Sequence, residues 1–266
     1  MFDAAVLEEI ARLGAAAALE LFGRVSSEHK EDGSVVTEAD RASQRVMRTR
    51  FRELESDPQR LFFLGEENVG VANGGRQDPM ASEAIAAVDP VDGTTAFASG
   101  LPLWGVSIGL FHHGELVSGV VYMPLVGGAD GSLYRGERGK PSTLNGSPVN
   151  VAPYRPWQRT SQIAVPSNVL RDNPLPGFPG KSRSVGSLAH HIALVAAGRL
   201  DAAYLGRPRV WDLAGGAAVL EGAGGALCNA KGAPVDWPRL LRGERPEYPL
   251  VAGSPEASSA LTALMS

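Results

Sequence analysis

The chain has 266 residues, 44% hydrophobic and 20% charged, with a formal net charge of −4. This is a globular composition able to bury a substantial core, and the lack of a Lys/Arg-rich run argues against a surface that binds nucleic acid by neutralising phosphates. A single cysteine, Cys228, excludes an internal disulfide framework and a cysteine-based zinc site, so a reducing, cytoplasmic setting is the simple expectation.

In chain order, MFDAAVLEEIARLGAAAALELFGRV comes first. Glu8, Glu9, Arg12 and Glu20 interrupt it and no basic leader precedes it, so it reads as an amphipathic helix and not as a signal peptide. Val6, Ile10, Leu13, Ala17 and Leu21 recur at helical spacing and are expected on its buried face. No apolar run is long enough for a bilayer, so no membrane partner is expected. Thr37 three positions before Asp40 starts a second helix, with Asp40 in its first turn. RLFFLGEE and AIAAVDP are short apolar runs ending in acids, as buried strands that deliver carboxylates at their ends would be. WGVSIGLFHHGELVSGVVYMP reads as a hairpin turning at His-Gly-Glu. Beyond residue 150 the chain alternates strands and helices: SQIAVPS, SLAHHIALVAAGRL, DAAYLG, WDLAGGAAVLEGAGG and ALCN. The rhythm predicts α/β layering, with the helices covering sheets. Two subdomains are expected, 1–150 and 151–266, joined as a single catalytic unit.

The chemistry concentrates in DPVDGTTAF, residues 89–97. Pro90 keeps Asp89 in an extended conformation, Asp92-Gly93 turns the chain, and a helix starting at Thr94 or Thr95 would aim unpaired N–H groups at an anion such as phosphate. A turn Asp followed by a helix-capping Asp is the competing reading of the same nine residues. Glu66, Asp89 and Asp212, each at an apparent element end, tilt the balance. If such acids converge, each pair about 4 Å apart repels by roughly 4 kcal/mol at an effective dielectric near 20, and a cation is needed. Oxygen ligands without His or Cys select a hard ion, Mg²⁺ with Mn²⁺ as a substitute. An aspartyl nucleophile two positions before Asp92 is excluded, because Pro90 stands there.

GEE (65–67), DPVDGTT (89–95) and WDLAGG (211–216), in this order, resemble the inositol monophosphatase family of Mg²⁺-dependent, lithium-sensitive phosphatases. DGSVVTEAD (32–40) and RSVGSLAHHIALVAAGRLDAAYL (183–205) resemble its other segments. The resemblance implies an α/β (α+β) layered sandwich of alternating helix and sheet layers, assembled as a dimer, that hydrolyses small phosphate monoesters. It also implies that Glu66, Asp89 and the Val91 carbonyl hold a first Mg²⁺, that Asp89, Asp92 and Asp212 hold a second, and that Glu66 with Asp40 holds a weaker third. Thr94 paired with Glu66 would activate the attacking water. Gly93, Thr94 and Thr95 would receive the phosphate, with Gly186 and Ser187 against the substrate; for Ser187, helix capping competes. Lys30 resembles an entrance lysine and also reads as a solvated loop charge.

Two departures bear on substrate. Ala96 replaces a frequent Asn, and Tyr204 or Leu205 stands where inositol-specific relatives have an acid for ring hydroxyls. Arg207 and Arg209 lie close by in sequence, either as surface charges or facing a second anionic group. The expected partner is a small phosphorylated metabolite of inositol, polyol or sugar type. Histidinol phosphate, fructose 1,6-bisphosphate and adenosine 3′,5′-bisphosphate are rivals, and a fold-sharing regulatory protein is the alternative of another class. His190 and His191 lack metal-ligand spacing and read as wall or packing residues.

Overall fold

A computed structural model describes residues 3–24, 28–29, 35–57, 59–68, 78–167 and 174–265; Lys30 lies outside them. Helix α1 (Ala4–Leu19) is capped by Asp3, whose carboxylate accepts the N–H groups of Ala5 and Val6. A short hairpin, β1 (Glu28–His29) with β2 (Val35–Val36), precedes α2 (Glu38–Leu54). The capping box expected at its start forms: Thr37 Oγ1 accepts from Ala39 N–H, and Asp40 Oδ2 accepts from Thr37 N–H at 2.8 Å.

A seven-stranded sheet follows in strictly sequential order: β3 (Leu61–Gly65), β4 (Ala84–Asp92), β5 (Gly105–His112), β6 (Glu115–Met123), β7 (Ser132–Glu137), β8 (Thr143–Leu144) and β9 (Ser147–Pro148). Only β3 and β4 run parallel. The β5–β6 turn is two residues, His113 and Gly114, both at positive φ, as a tight hairpin requires. Between β4 and β5 the short helix α3 (Thr94–Ala98) intervenes.

A five-stranded sheet has the order β11 (Lys181–Arg183), β10 (Gln162–Ala164), β12 (Ala202–Gly206), β14 (Leu250–Gly253), β13 (Ala226–Asn229). Its helices are α4 (Leu188–Ala196), α5 (Val210–Gly222), α6 (Trp237–Leu241) and α7 (Pro255–Thr262).

Strand alternation sorts the layers. Ala86, Val88, Ile108 and Val120 meet Leu7, Ile10, Met47 and Phe51 of α1 and α2. Their neighbours Ile85, Ala87, Phe111 and Val121 meet α4 and α5, which fill the space between the two sheets. On the far side of the second sheet, Ile163, Ala202 and Val251 pack with Ala257 and Leu261 of α7. The layered sandwich expected from the sequence is therefore the one found. One helical face differs: α1 buries Leu7, Ile10, Ala11, Gly14, Ala15 and Ala18, and Leu13 is exposed. The small residues win because they admit α2 closely; a Cβ on Gly14 would stand 2.7 Å from Met47 Sδ.

The seat of α5 is built on absent side chains. Gly109, Gly119 and Gly136 lie on β5, β6 and β7, and a Cβ at any of them would run into Ala214, Gly215 or Ala218 of the helix. At Gly119 it would meet Gly215 O at 2.8 Å, a backbone atom that cannot rotate away. Gly119→Val is expected to lower unfolding free energy by about 3 kcal/mol or more, the range of core overpacking. A urea midpoint within error of wild type would show that the helix is not seated this tightly.

Candidate active site

The end of β4 carries the site. Asp89 pairs with Ser107 and Asp92 with Gly105, so β4 spends one residue more than β5 over this interval. That extra residue is a bulge, and Pro90, which has no N–H to lose, sits in it. Ser43 of α2 donates to Pro90 O at 3.0 Å and pins the bulge from behind. The insertion resets the alternation of faces, so two acids three positions apart belong to one electrostatic cluster.

Gly93 then reverses the chain in the left-handed region, φ 97°, and caps α3. A Cβ there would meet Leu103 O at 2.9 Å and Gly186 O at 3.1 Å, so Gly93 and Gly186 meet backbone to backbone. Thr94 Oγ1 lies 2.9 Å from both Asp40 Oδ1 and Val91 O, and its single proton serves one of them at a time. Its carboxylate partner is thus Asp40, not the Glu66 expected from the sequence. The reason is position: Asp40 is fixed in the first turn of α2 by the N–H and hydroxyl of Thr37, at 2.8 and 2.7 Å, leaving Oδ1 turned to Thr94. Glu66 opens the 3₁₀ turn Glu66–Asn68 after β3, and Gln44 Oε1 holds that turn by accepting from Glu67 N–H at 3.0 Å.

Asp92 accepts three hydrogen bonds at the start of α4: from Ser187 Oγ at 2.7 Å, Leu188 N at 3.1 Å and Ala189 N at 2.5 Å. Ser187 Oγ also accepts from His190 N–H, so it both caps α4 and holds Asp92. Asp212, in the first turn of α5, accepts from Arg209 N–H at 2.7 Å. Ser107, opposite Asp89, donates to Trp211 O at 3.1 Å and so ties β5 to the residue beside Asp212. Arg207 was expected against substrate; its Nε donates to Pro246 O at 2.6 Å.

The electrostatics are those of like charges held out of water. Burial raises the pKa of Asp89 well above the usual carboxylate range, and the charges of Glu66, Asp92, Asp212 and Asp40 add to it. Burial likewise raises Asp40 and Asp92, against the pull of their hydrogen-bond donors. Asp212 is pushed up to about 7, by burial first and by Asp92 second, with Arg209 and Arg245 acting in the opposite sense. His190 and His191 are buried and neutral, lowered to about 4 by desolvation; His190 packs near the Tyr134 ring. Both lie on the buried face of α4.

Among the described residues, no three His, Cys, Asp or Glu side chains already close round a common point. The acids are instead turned to protein donors. Yet their mutual repulsion and all-oxygen character fit a hard divalent cation, whose charge would remove the penalty that raises Asp89 and Asp212. The oxygens available to such an ion are those of Glu66, Asp89, Asp92 and Asp212, with the Val91 carbonyl at the bulge.

The chain matches the inositol monophosphatase family over residues 3–257. It is 34% identical over 219 residues to inositol monophosphatase 1 of Solanum lycopersicum, covering 78% of this chain and 77% of that one. It is 31% identical over 233 residues to the histidinol-phosphatase of Chlorobaculum parvum, covering 84% of each. Among solved structures, the extragenic suppressor protein suhB of Bartonella henselae superposes with a TM-score of 0.78 at 25% identity, over 97% of both chains. The protein belongs to the inositol monophosphatase family, phosphatases that hydrolyse phosphate monoesters and generally depend on metal.

The shift at Asp212 has a sign that can be checked. Its folded pKa near 7 lies above the 3.8 of an unfolded carboxyl, so its stabilising contribution is complete below pH 3.8 and is lost as pH rises through 7. Asp212→Asn keeps an acceptor for Arg209 N–H and removes the charge. In chelator at pH 8 the variant is expected to be more stable than wild type by on the order of 2–4 kcal/mol, the difference closing towards pH 4. Urea unfolding at the two pH values measures it, and a variant less stable at pH 8 would contradict the assignment.

Proposed function

We propose that the protein hydrolyses a small phosphate monoester of a polyol, sugar or related metabolite by direct attack of water. The observation that carries this reading is the Thr94–Asp40 hydrogen bond beside the buried Asp89–Asp92 bulge. Glu66, Asp89, Val91 O, Asp92 and Asp212 would hold magnesium, in two or three ions, with manganese as a substitute. When bound, the metal lowers the pKa of water and neutralises charge gathering on the departing oxygen.

The chain's own residues do the rest. Thr94 Oγ1 accepts a hydrogen bond from the attacking water while its own proton points at Asp40 Oδ1, so the pair orients the water's lone pair towards phosphorus. Asp40, whose proton affinity burial raises, is suited to take up the proton that this attack releases. Glu66, half-buried at the rim of the same carboxylate group, is a second acceptor for it. The first N–H groups of α3, from Gly93 to Thr95, have no acceptor within the helix and face a phosphate as donors. Gly186 lies against Gly93 and walls the cradle, while Ser187 contributes by holding Asp92. The N-terminal unit, 1–150, would supply most ligands, with Asp212 completing the set from 151–266. We place the protein in the cytoplasm; among the described residues no helix is long and apolar enough to cross a membrane.

Phosphate release from inositol, sugar, histidinol and nucleotide phosphates, with Mg²⁺ and with chelator, tests the reading. Thr94→Val, which cannot relay a proton, is expected to lower kcat by about 10²–10⁴-fold with a smaller change in KM. Full activity in this variant, or equal rates in chelator, would sink the mechanism. A homodimer is the expected assembly, so light scattering at micromolar concentration should give twice the chain mass of 27.9 kDa; the single mass would refute it.

A further inference from the structure

One wall of the phosphate cradle is a strained turn. After edge strand β11, Val185, Gly186 and Ser187 lead into α4, and Ser187 N–H donates back to Val185 O at 2.9 Å round Gly186, which stands at φ 80°. A hydrogen bond across a single residue at positive φ defines the rarer and more strained of the γ-turns. Such strain persists only where the surroundings over-determine it. On one side they are backbone and a methyl group: a Cβ on Gly186 would meet Leu103 O at 2.5 Å and Ala96 Cβ at 3.1 Å, and one on Gly93 would meet Gly186 O at 3.1 Å.

On the other side the support is one side chain. His191, one turn into α4 and 2% exposed, accepts the Val185 N–H on Nε2 at 3.0 Å. Its own backbone N–H donates to Ser187 O at 3.2 Å, so the turn and the helix start form one hydrogen-bonded unit. A neutral imidazole that accepts at Nε2 carries its proton on Nδ1. That Nδ1 is buried and, among the described residues, has no hydrogen-bond partner. An unsatisfied buried donor is costly, and a leucine of similar size would avoid the cost. What leucine would lack is the acceptor for Val185 N–H.

We propose that His191 is a positioning residue for phosphate ester hydrolysis, its Nε2 lone pair holding Gly186 in the strained turn that walls the cradle beside Gly93. The role rests on the phosphatase reading and adds to it a side chain that acts through the backbone and not on substrate. Without the acceptor, Val185 N–H is left unpaired next to the strained turn, and Gly186 relaxes away from Gly93. Asp92 stays held by Ser187 Oγ and by the N–H groups of Leu188 and Ala189, so the loss falls on phosphate binding more than on the acid group.

The test compares wild type, His191→Leu and His191→Gln on whichever substrate of the phosphate panel wild type hydrolyses fastest, in Mg²⁺, with inorganic phosphate as product inhibitor. Leucine removes the acceptor, whereas glutamine Oε1 can stand where Nε2 stood. In His191→Leu, KM and the inhibition constant for phosphate are each expected to rise about fivefold or more with a smaller change in kcat, and His191→Gln to recover most of both. Values within about twofold of wild type in His191→Leu, or a loss confined to kcat that glutamine does not restore, would overturn the role and leave His191 as packing. Should His191→Leu fail to fold, the ¹⁵N spectrum of the wild-type ring decides: the Nδ1–H tautomer at pH 7 supports the proposal, and the Nε2–H tautomer or a charged ring overturns it. If wild type releases phosphate from none of the panel, the phosphatase reading has failed, and calorimetric titration with inorganic phosphate tests the cradle separately. Binding weakened about fivefold in His191→Leu supports the role; equal affinity, or no binding to wild type, overturns it.

Discussion

Burying carboxylates next to one another is the constraint under which this structure is arranged. Asp40, Asp89 and Asp92 are almost wholly removed from water, and each would be protonated or expelled without compensation. The compensation comes largely from helix starts. Asp40 and Asp212 lie in the first turns of α2 and α5, and Asp92 accepts the first N–H groups of α4. Three positive dipole ends therefore converge on one group of acids. They supply part of the positive charge that the acids need, and so help to keep them in place.

Joining those helix starts to a single strand end requires a local exception to sheet regularity. The bulge at Pro90 provides it, and hydrogen bonds from Ser43 and Ser107 fix the surroundings to α2 and α5. Such hydroxyls are short and buried, so they position without competing for charge. The reacting region is thereby assembled from elements far apart in the chain, each held by one or two specific bonds and backed by its own apolar layer.

Much of this was legible beforehand, and for definable reasons. The strand that carries Asp89, the Thr37 cap and the start of α3 follow from local signals: an apolar run, a Pro, a Gly, a capping spacing; the strand does not end at Asp89 as they suggest, because the bulge carries β4 through Pro90 to Asp92. What local signals do not carry is which distant group a freed atom will meet. Thr94 and Asp40 are 54 residues apart, and nothing in the periodicity of either segment pairs them. Ser187 was open between cap and substrate contact; it caps, and its hydroxyl proton goes to Asp92. Arg207 was open between a surface charge and a contact to a second anion, and no local signal shows that its Nε would donate to a carbonyl 39 residues later. The buried face of α1 was misjudged for a related reason: hydrophobic size was weighed, whereas the close approach of α2 favoured Gly and Ala.

The glycine seat of α5 has a consequence for how such a protein diversifies. Because Ala214, Gly215 and Ala218 rest directly on sheet backbone, the helix that presents Asp212 has no room to slide or rotate. Amide protons of β5 and β6 beneath it are expected to exchange only on global opening. The segment 242–249, between α6 and β14, lies at the other extreme, largely exposed and joined to the loop before α5 through Arg207 Nε to Pro246 O and Arg209 Nη1 to Gly243 O, and to Asp78 through Arg242. A change of length or charge there would leave the acid group undisturbed, whereas a side chain added beneath α5 would displace Asp212 directly.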